Sequence, residues 1–145
     1  MEKNLNFKRI LLGGLAGGVA MFVVGMIIHG GILEESYNNL MSSHVLKTHE
    51  EVNMTAMWLH HIFLLVSGIL CTALYAIART HLGAGAKTAI ITGLLVGLIA
   101  SGTPIAMYVF YNVGAKVPFF TMLDVILEIT LGTLVGGWIY KEQTA

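Results

Sequence analysis

Asp124 and Glu128 stand four positions apart in a stretch with no other charged residue between Val117 and Tyr140. On a helix that spacing puts both carboxyl groups on one face. Two carboxyl groups on an apolar helix can hold a cation, a proton or a metal ion. The bland alternative is a neutral carboxyl that hydrogen-bonds to Thr103, Tyr108 or a histidine and only aligns helices. His60 and His61 are adjacent, so one of them must point inward from a helix and can ligate a metal or haem. His29 is a candidate second ligand. The bland reading of the pair is two interfacial imidazoles bonded to water and backbone. Met54 and Met57 precede the histidines at helical spacing, a face suited to soft Cu(I), although methionine is common in membrane helices. The carboxylate-bridged di-iron pattern needs Glu-x-x-His pairs on two helices, and none occurs. His44, His49, Glu50 and Glu51 could bind zinc but read better as a solvated loop. The lone Cys71 forbids an internal disulfide or a multi-cysteine metal site and reads as a packing residue. No phosphate-binding loop, dinucleotide fingerprint or nucleophile elbow is present.

The elements that carry these residues follow from composition. The chain has 145 residues, 56% hydrophobic and only 11% charged, with a mean hydropathy of +0.78. Soluble domains carry about 25% charged residues, so a soluble monomer is excluded, as is a disordered chain. Eight basic residues balance eight acidic ones, which speaks against a nucleic-acid partner. Four stretches reach the ~20 apolar residues a bilayer crossing needs: about 10–29, 55–78, 88–112 and 117–140. A span must satisfy its backbone internally and four strands cannot close a barrel, so all four read as helices. The expected fold is all-α, an integral membrane four-helix bundle forming a single transmembrane domain over 1–145. The bilayer is its first partner. Lys3, Lys8 and Arg9 precede the first span, but its apolar run is too long for a signal peptide and no small-residue cleavage site follows. It reads as an uncleaved anchor.

Lys3, Lys8, Arg9, Arg79, Lys87 and Lys141 fall on one side of the four spans, Lys47 and Lys116 on the other. Basic residues stay cytoplasmic, which predicts both termini inside a bacterial inner membrane. The loop at about 30–54 then faces outward. Within it Tyr37, Leu40, Met41 and Val45 recur at helical spacing and predict a short helix on the outer surface. Thr48 and Glu51 have capping-box spacing, which predicts that the second helix begins there. The Asn53-Met54-Thr55 sequon abuts the membrane and reads as chance. Trp138, Tyr140 and Lys141 form an interfacial anchor.

Glycine pairs at i, i+4 occur as Gly13/Gly17, Gly14/Gly18, Gly93/Gly97 and Gly132/Gly136. Such pairs let membrane helices approach closely, first within one bundle and secondarily in a homo-oligomer or larger membrane complex. At an offset of 64, Leu59 aligns with Leu123, His60 with Asp124 and Gly68 with Gly132. Spans one and three share a glycine pair at an offset of 80. Two helical hairpins in one orientation would make a parallel repeat, with His60 facing Asp124.

The run from Gly25 through His29-Gly30-Gly31 to Tyr37, Leu40 and Met41 resembles the end of the first helix in a family of small bacterial four-helix membrane proteins, labelled only as a domain of unknown function. That family has Trp-Tyr-Gly-Pro where this chain has Ile28-His29-Gly30-Gly31. Asp124 followed by Gly132 is similar to the family's fourth helix. His60-His61 lies outside the pattern. The resemblance implies four spans and no mechanism.

At 1.5 Å per helical residue, Asp124 lies ~10 Å below the outer boundary, Glu128 ~16 Å and His60 ~8 Å. His29, Thr103 and Tyr108 fall in the same outer half, whereas the inner half is nearly all apolar. The sequence therefore predicts an outward-facing polar cavity that binds or passes a small ligand or cation. Its ligand residues are His60, Asp124, Glu128, Thr103 and Tyr108. The rival is a metal- or haem-binding redox or enzymatic subunit using His29, His60 and His61. A third reading is a structural accessory protein.

Overall fold

The computed structural model describes residues Leu5 to Lys141; Lys3, used in the orientation argument, lies outside them. Every regular element among the described residues is helical. These are α1 (Phe7–Ile27), a wide π turn (Ile28–Ile32), α2 (Glu34–Ser42), α3 (Met54–Leu82), α4 (Ala86–Ala100), α5 (Gly102–Phe110) and α6 (Lys116–Ile139). Four of the resulting helical stretches are long and apolar enough to cross a membrane: Phe7–Ile32, Met54–Leu82, Ala86–Phe110 and Lys116–Ile139. Their outer faces carry exposed Phe63, Leu98, Ile99 and Trp138. A helix that is apolar all round finds its proper solvent in lipid.

Two asparagines start helices by capping them. Asn6 accepts from the Arg9 amide at 3.1 Å, and Asn53 accepts from the Ala56 amide at 3.2 Å. Thr48 and Glu51 do interact as their spacing predicts, the Thr48 amide donating to the Glu51 carboxylate at 2.9 Å. They close a turn inside the loop, however, and the helix begins beyond it at Met54. Those bonds hold the exposed Glu51 carboxyl below the ordinary carboxylate range.

The third span is not one continuous helix. It divides at Ser101, whose ψ of −6° departs from the ordinary helical value near −42°. Pro104 follows three residues later and has no amide proton to continue the ladder. The Ser101 hydroxyl donates to the Leu98 carbonyl at 2.7 Å, satisfying one of the freed acceptors.

Packing is organised around α1, which touches both α3 and α6. Its two glycine rows face different neighbours. A Cβ on Gly13 would lie 2.6 Å from the Gly136 carbonyl oxygen, and one on Gly17 would meet the carbonyl of Gly132. Gly14 and Gly18 face Ile69, Leu65 and Gly68 of α3. Backbones that close permit no side chain, and dispersion attraction between them is the main force that holds helices together in lipid. On α4, Gly93 and Gly97 approach Thr130 and Ile126 of α6 in the same way. The α1–α6 seam is antiparallel: Ile10 and Tyr140 share the core cluster at one end. Met21, fully buried, covers Gly132 in the middle. The packing of α1 on α6 is far more extensive than that of α3 on α4, so the two hairpins do not pack symmetrically.

At the opposite end of the bundle Ile28, Leu33 and Val117 form a buried cluster, onto which Tyr37 and Leu40 of α2 pack. The surface helix expected in the loop thus exists, and it docks its apolar face on the mouth of the bundle.

Candidate functional site

The polar residues of three helices and the π turn meet at one end of the bundle. The π turn decides how. Leu33 donates its amide to the carbonyl of Ile28 at 2.9 Å, a bond spanning five residues rather than four. Such a turn widens the helix and redirects the side chains within it, a feature frequent at functional sites. Here it carries His29 over α6. His29 Nε2 lies 2.8 Å from Asp124 Oδ2, and His29 Nδ1 lies 2.7 Å from the Tyr37 hydroxyl. The imidazole and the Tyr37 ring are stacked, 21° apart in plane.

A carboxylate only accepts hydrogen bonds, so an ionised Asp124 requires the proton on His29 Nε2. A neutral imidazole then accepts from the Tyr37 hydroxyl through Nδ1, and a protonated one donates to it. Tyr37, His29 and Asp124 form a hydrogen-bonded chain from the docked α2 to a residue only 3% exposed. Burial pushes the Tyr37 phenol above its ordinary pKa of 10.0; the neighbouring Thr121 hydroxyl opposes the shift and the Asp124 charge adds to it. The second Asp124 oxygen, Oδ1, is buried and has no hydrogen-bond partner among the described residues. A buried acceptor left unmet costs roughly 1–3 kcal/mol.

Asp124 and His29 line a cavity of about 540 Å³ together with Glu128, His60, His61 and Thr121. Gly25 of α1 opens the wall beside Glu128, its Cβ position lying 3.7 Å from Oε2. His61 is turned back on its own helix, where its Nδ1 pairs with the Met57 carbonyl at 2.7 Å, and it packs edge-on to Phe22. His60 is exposed on α3 and reaches the cavity rim. The partner of Asp124 is therefore His29 rather than His60. Thr103 lines a neighbouring cavity that shares His60 and Glu128 with the first. Tyr108 lies outside both, exposed beside Pro118 and Phe119.

The chain matches no family model, no curated protein and no solved structure.

The constellation must accordingly be read from its own geometry. Among the described residues, no group of three His, Cys, Asp or Glu side chains is disposed to hold a metal ion. His29, His60 and His61 do not converge as a ligand set: His29 is engaged by Asp124 and Tyr37, and His61 by its own backbone. Sequence reasoning did not find Tyr37 as a polar participant; its helical spacing marked it only as part of an apolar face. Its place eight residues beyond His29 was the available signal, but it carries meaning only once the π turn folds one residue over the other.

Proposed function

We propose that this is a small polytopic protein of a bacterial inner membrane, with both termini cytoplasmic, that binds a small ligand or cation in an outward-facing polar cavity. The observation that carries the reading is Asp124: 3% exposed, fixed through one oxygen by His29, and left with an unmet acceptor in a cavity that also holds Glu128 and His60. Ionisable residues inside membrane spans are costly and mark sites of function. A ligand that brings positive charge would be drawn by the two carboxyl groups in the cavity wall. Closure of the α1–α6 seam beneath the cavity, by Met21 on Gly132 and by Gly17 on Gly132, favours binding in a pocket over an open channel. Basic-residue asymmetry supports the orientation. The run from Gly25 to Met41, with Asp124 and Gly132, supports membership of the uncharacterised four-helix family.

The test is calorimetry on protein in nanodiscs, titrated with sodium, potassium and methylammonium ions. We expect one of these to bind to the wild type, and Asp124→Asn with Glu128→Gln to abolish that binding while the bundle stays folded. Wild-type binding in the double variant would refute the carboxylate site.

A structural accessory role is the competing reading, favoured by the way the Tyr37–His29–Asp124 chain ties α2, the π turn and α6 together. It predicts that no titrated ion binds to the wild type and that the double variant, whose amides keep most of the hydrogen-bonding capacity, is as stable as the wild type.

A further inference from the structure

The polar cavity adjoins two others: an apolar one on the α1–α3 flank, with which it shares Phe22, Met26 and His61, and a second that reaches Glu128. The second, about 580 Å³, lies between α3 and the α4–α5 pair. The polar cavity and this second one are both lined by His60, Leu64, Thr121, Val125 and Glu128, so Glu128 stands where they join. Apart from His60 and Glu128, the second cavity offers no ionisable lining except the thiol of Cys71; its walls are side chains such as Phe63, Leu70, Val96 and Met107. Phe63 and Leu70 are also exposed on the flank of the bundle. The gap exists because α5, set off from α4 at Ser101, packs on α6 and α4 and makes no comparable contact with α3. The second cavity therefore opens sideways, on the flank that the long apolar helices turn toward lipid, and not at the polar end.

Two joined chambers of opposite character specify one kind of occupant. No lysine or arginine lines either chamber. The head chamber offers the Glu128 carboxyl, which takes hydrogen bonds from a donor and attracts positive charge, with the buried Asp124 in its wall. Away from His60, Thr121 and Glu128 at the junction, the side chamber offers room for hydrocarbon and only the Ser67 and Thr103 hydroxyls and the Cys71 thiol as polar groups. We propose that the ligand is a single-headed lipophilic amine, entering from the bilayer between α3 and α5. Its ammonium group sits against Glu128, on the side of the head chamber walled by Asp124, and its alkyl chain lies in the cavity bounded by Phe63, Leu70, Val96 and Met107. A hydrocarbon tail gains little by leaving lipid for an apolar pocket, so affinity comes from the head and the tail sets the route and the class of ligand. This inference rests on the cavity being a cation site, and deepens that reading.

The probe is dodecylamine carrying a photoactivatable diazirine at the chain end, added to the full-length protein in zwitterionic nanodiscs. After irradiation, labelled peptides are mapped. Label is expected between Phe63 and Leu74 and between Val96 and Met107. Glu128→Gln should weaken it at least about tenfold, the worth of one charge-assisted hydrogen bond. The alcohol of equal length should not label those segments. Ala100→Phe, which fills the side chamber and spares the head chamber, should remove the label there while methylammonium still binds. Wild-type-like helicity and a single elution peak for each variant separate these losses from misfolding. Equal labelling by amine and alcohol, indifference to Glu128→Gln, or label spread evenly over the outer faces would overturn the lipophilic-amine inference. If methylammonium still binds in a Glu128-dependent way, the cation site survives that failure; if it does not, both readings fall.

Discussion

His29 Nε2 and Asp124 Oδ2 are 2.8 Å apart, and this contact joins the π turn that follows α1 to the N-terminal half of α6. The two residues differ sharply in environment: the His29 side chain is 37% exposed and that of Asp124 4%. The imidazole therefore connects the aqueous end of the molecule to a carboxyl that water does not reach. Removing the imidazole strands the carboxyl.

Infrared difference spectroscopy of the carboxyl band across a pH titration should separate the histidines. His29→Gln is expected to move the Asp124 band and to cost roughly 1–3 kcal/mol of stability, the price of an unmet buried acceptor. His60→Gln should leave the Asp124 band nearly in place. Equal shifts in the two variants would mean that His29 is not the Asp124 partner in the membrane.

The Tyr37 phenol provides a second spectroscopic handle, outside the spans. Its pKa is raised above 10.0 by burial first, and the Asp124 charge adds to the rise. A raised phenol pKa contributes stability that is complete below pH 10.0 and is lost as pH climbs through the folded value. Ultraviolet titration should show Tyr37 ionising later than a free tyrosine. Asp124→Asn should bring it partway back, because the carboxylate charge is gone while the burial remains.

Close helix contact can be tested by adding a single methyl group. Gly17→Ala drives a Cβ onto the Gly132 carbonyl and should cost roughly 1–3 kcal/mol, as overpacking does. Gly30→Ala meets nothing within 4 Å and should stay within about 0.5 kcal/mol of wild type. Reversible unfolding in mixed micelles measures both. Similar losses would show that the seam is looser than its geometry.

Orientation is tested in a Cys71→Ser background with single cysteines at Lys47 and Gly83. An impermeant thiol reagent applied to intact cells should label the first and spare the second. The reverse pattern would invert every depth assigned from the basic residues.

The four long helices were legible because their cause is composition: uninterrupted apolar runs admit no other bilayer-crossing element. The Asp124–Glu128 face was legible too, since helical spacing alone fixes it. The division at Ser101 was not foreseen, although Gly102 and Pro104 were in plain view; an apolar run reads as continuous when its hydropathy does not change. The partner of Asp124 was misjudged for a physical reason. The weak repeat set His60 opposite Asp124, as a symmetric pair of hairpins would require, but α1 and not α3 is the close neighbour of α6 along this seam. Likewise Thr48 and Glu51 carried a true local interaction that Asn53, five residues on, displaced as the start of α3.

The double glycine edge of α1 has a consequence for how the molecule is made. One edge is matched by α3, which leaves the ribosome soon after it; the other waits for α6, synthesised about 90 residues later than α1. Until α6 inserts, Gly13 and Gly17 present a groove to lipid that no acyl chain fits as closely as a helix backbone does. The half-built protein is thus marked as incomplete at its first helix. A chain stopped before Lys116 would keep three of its four apolar helical stretches and still offer quality-control proteases an open seam.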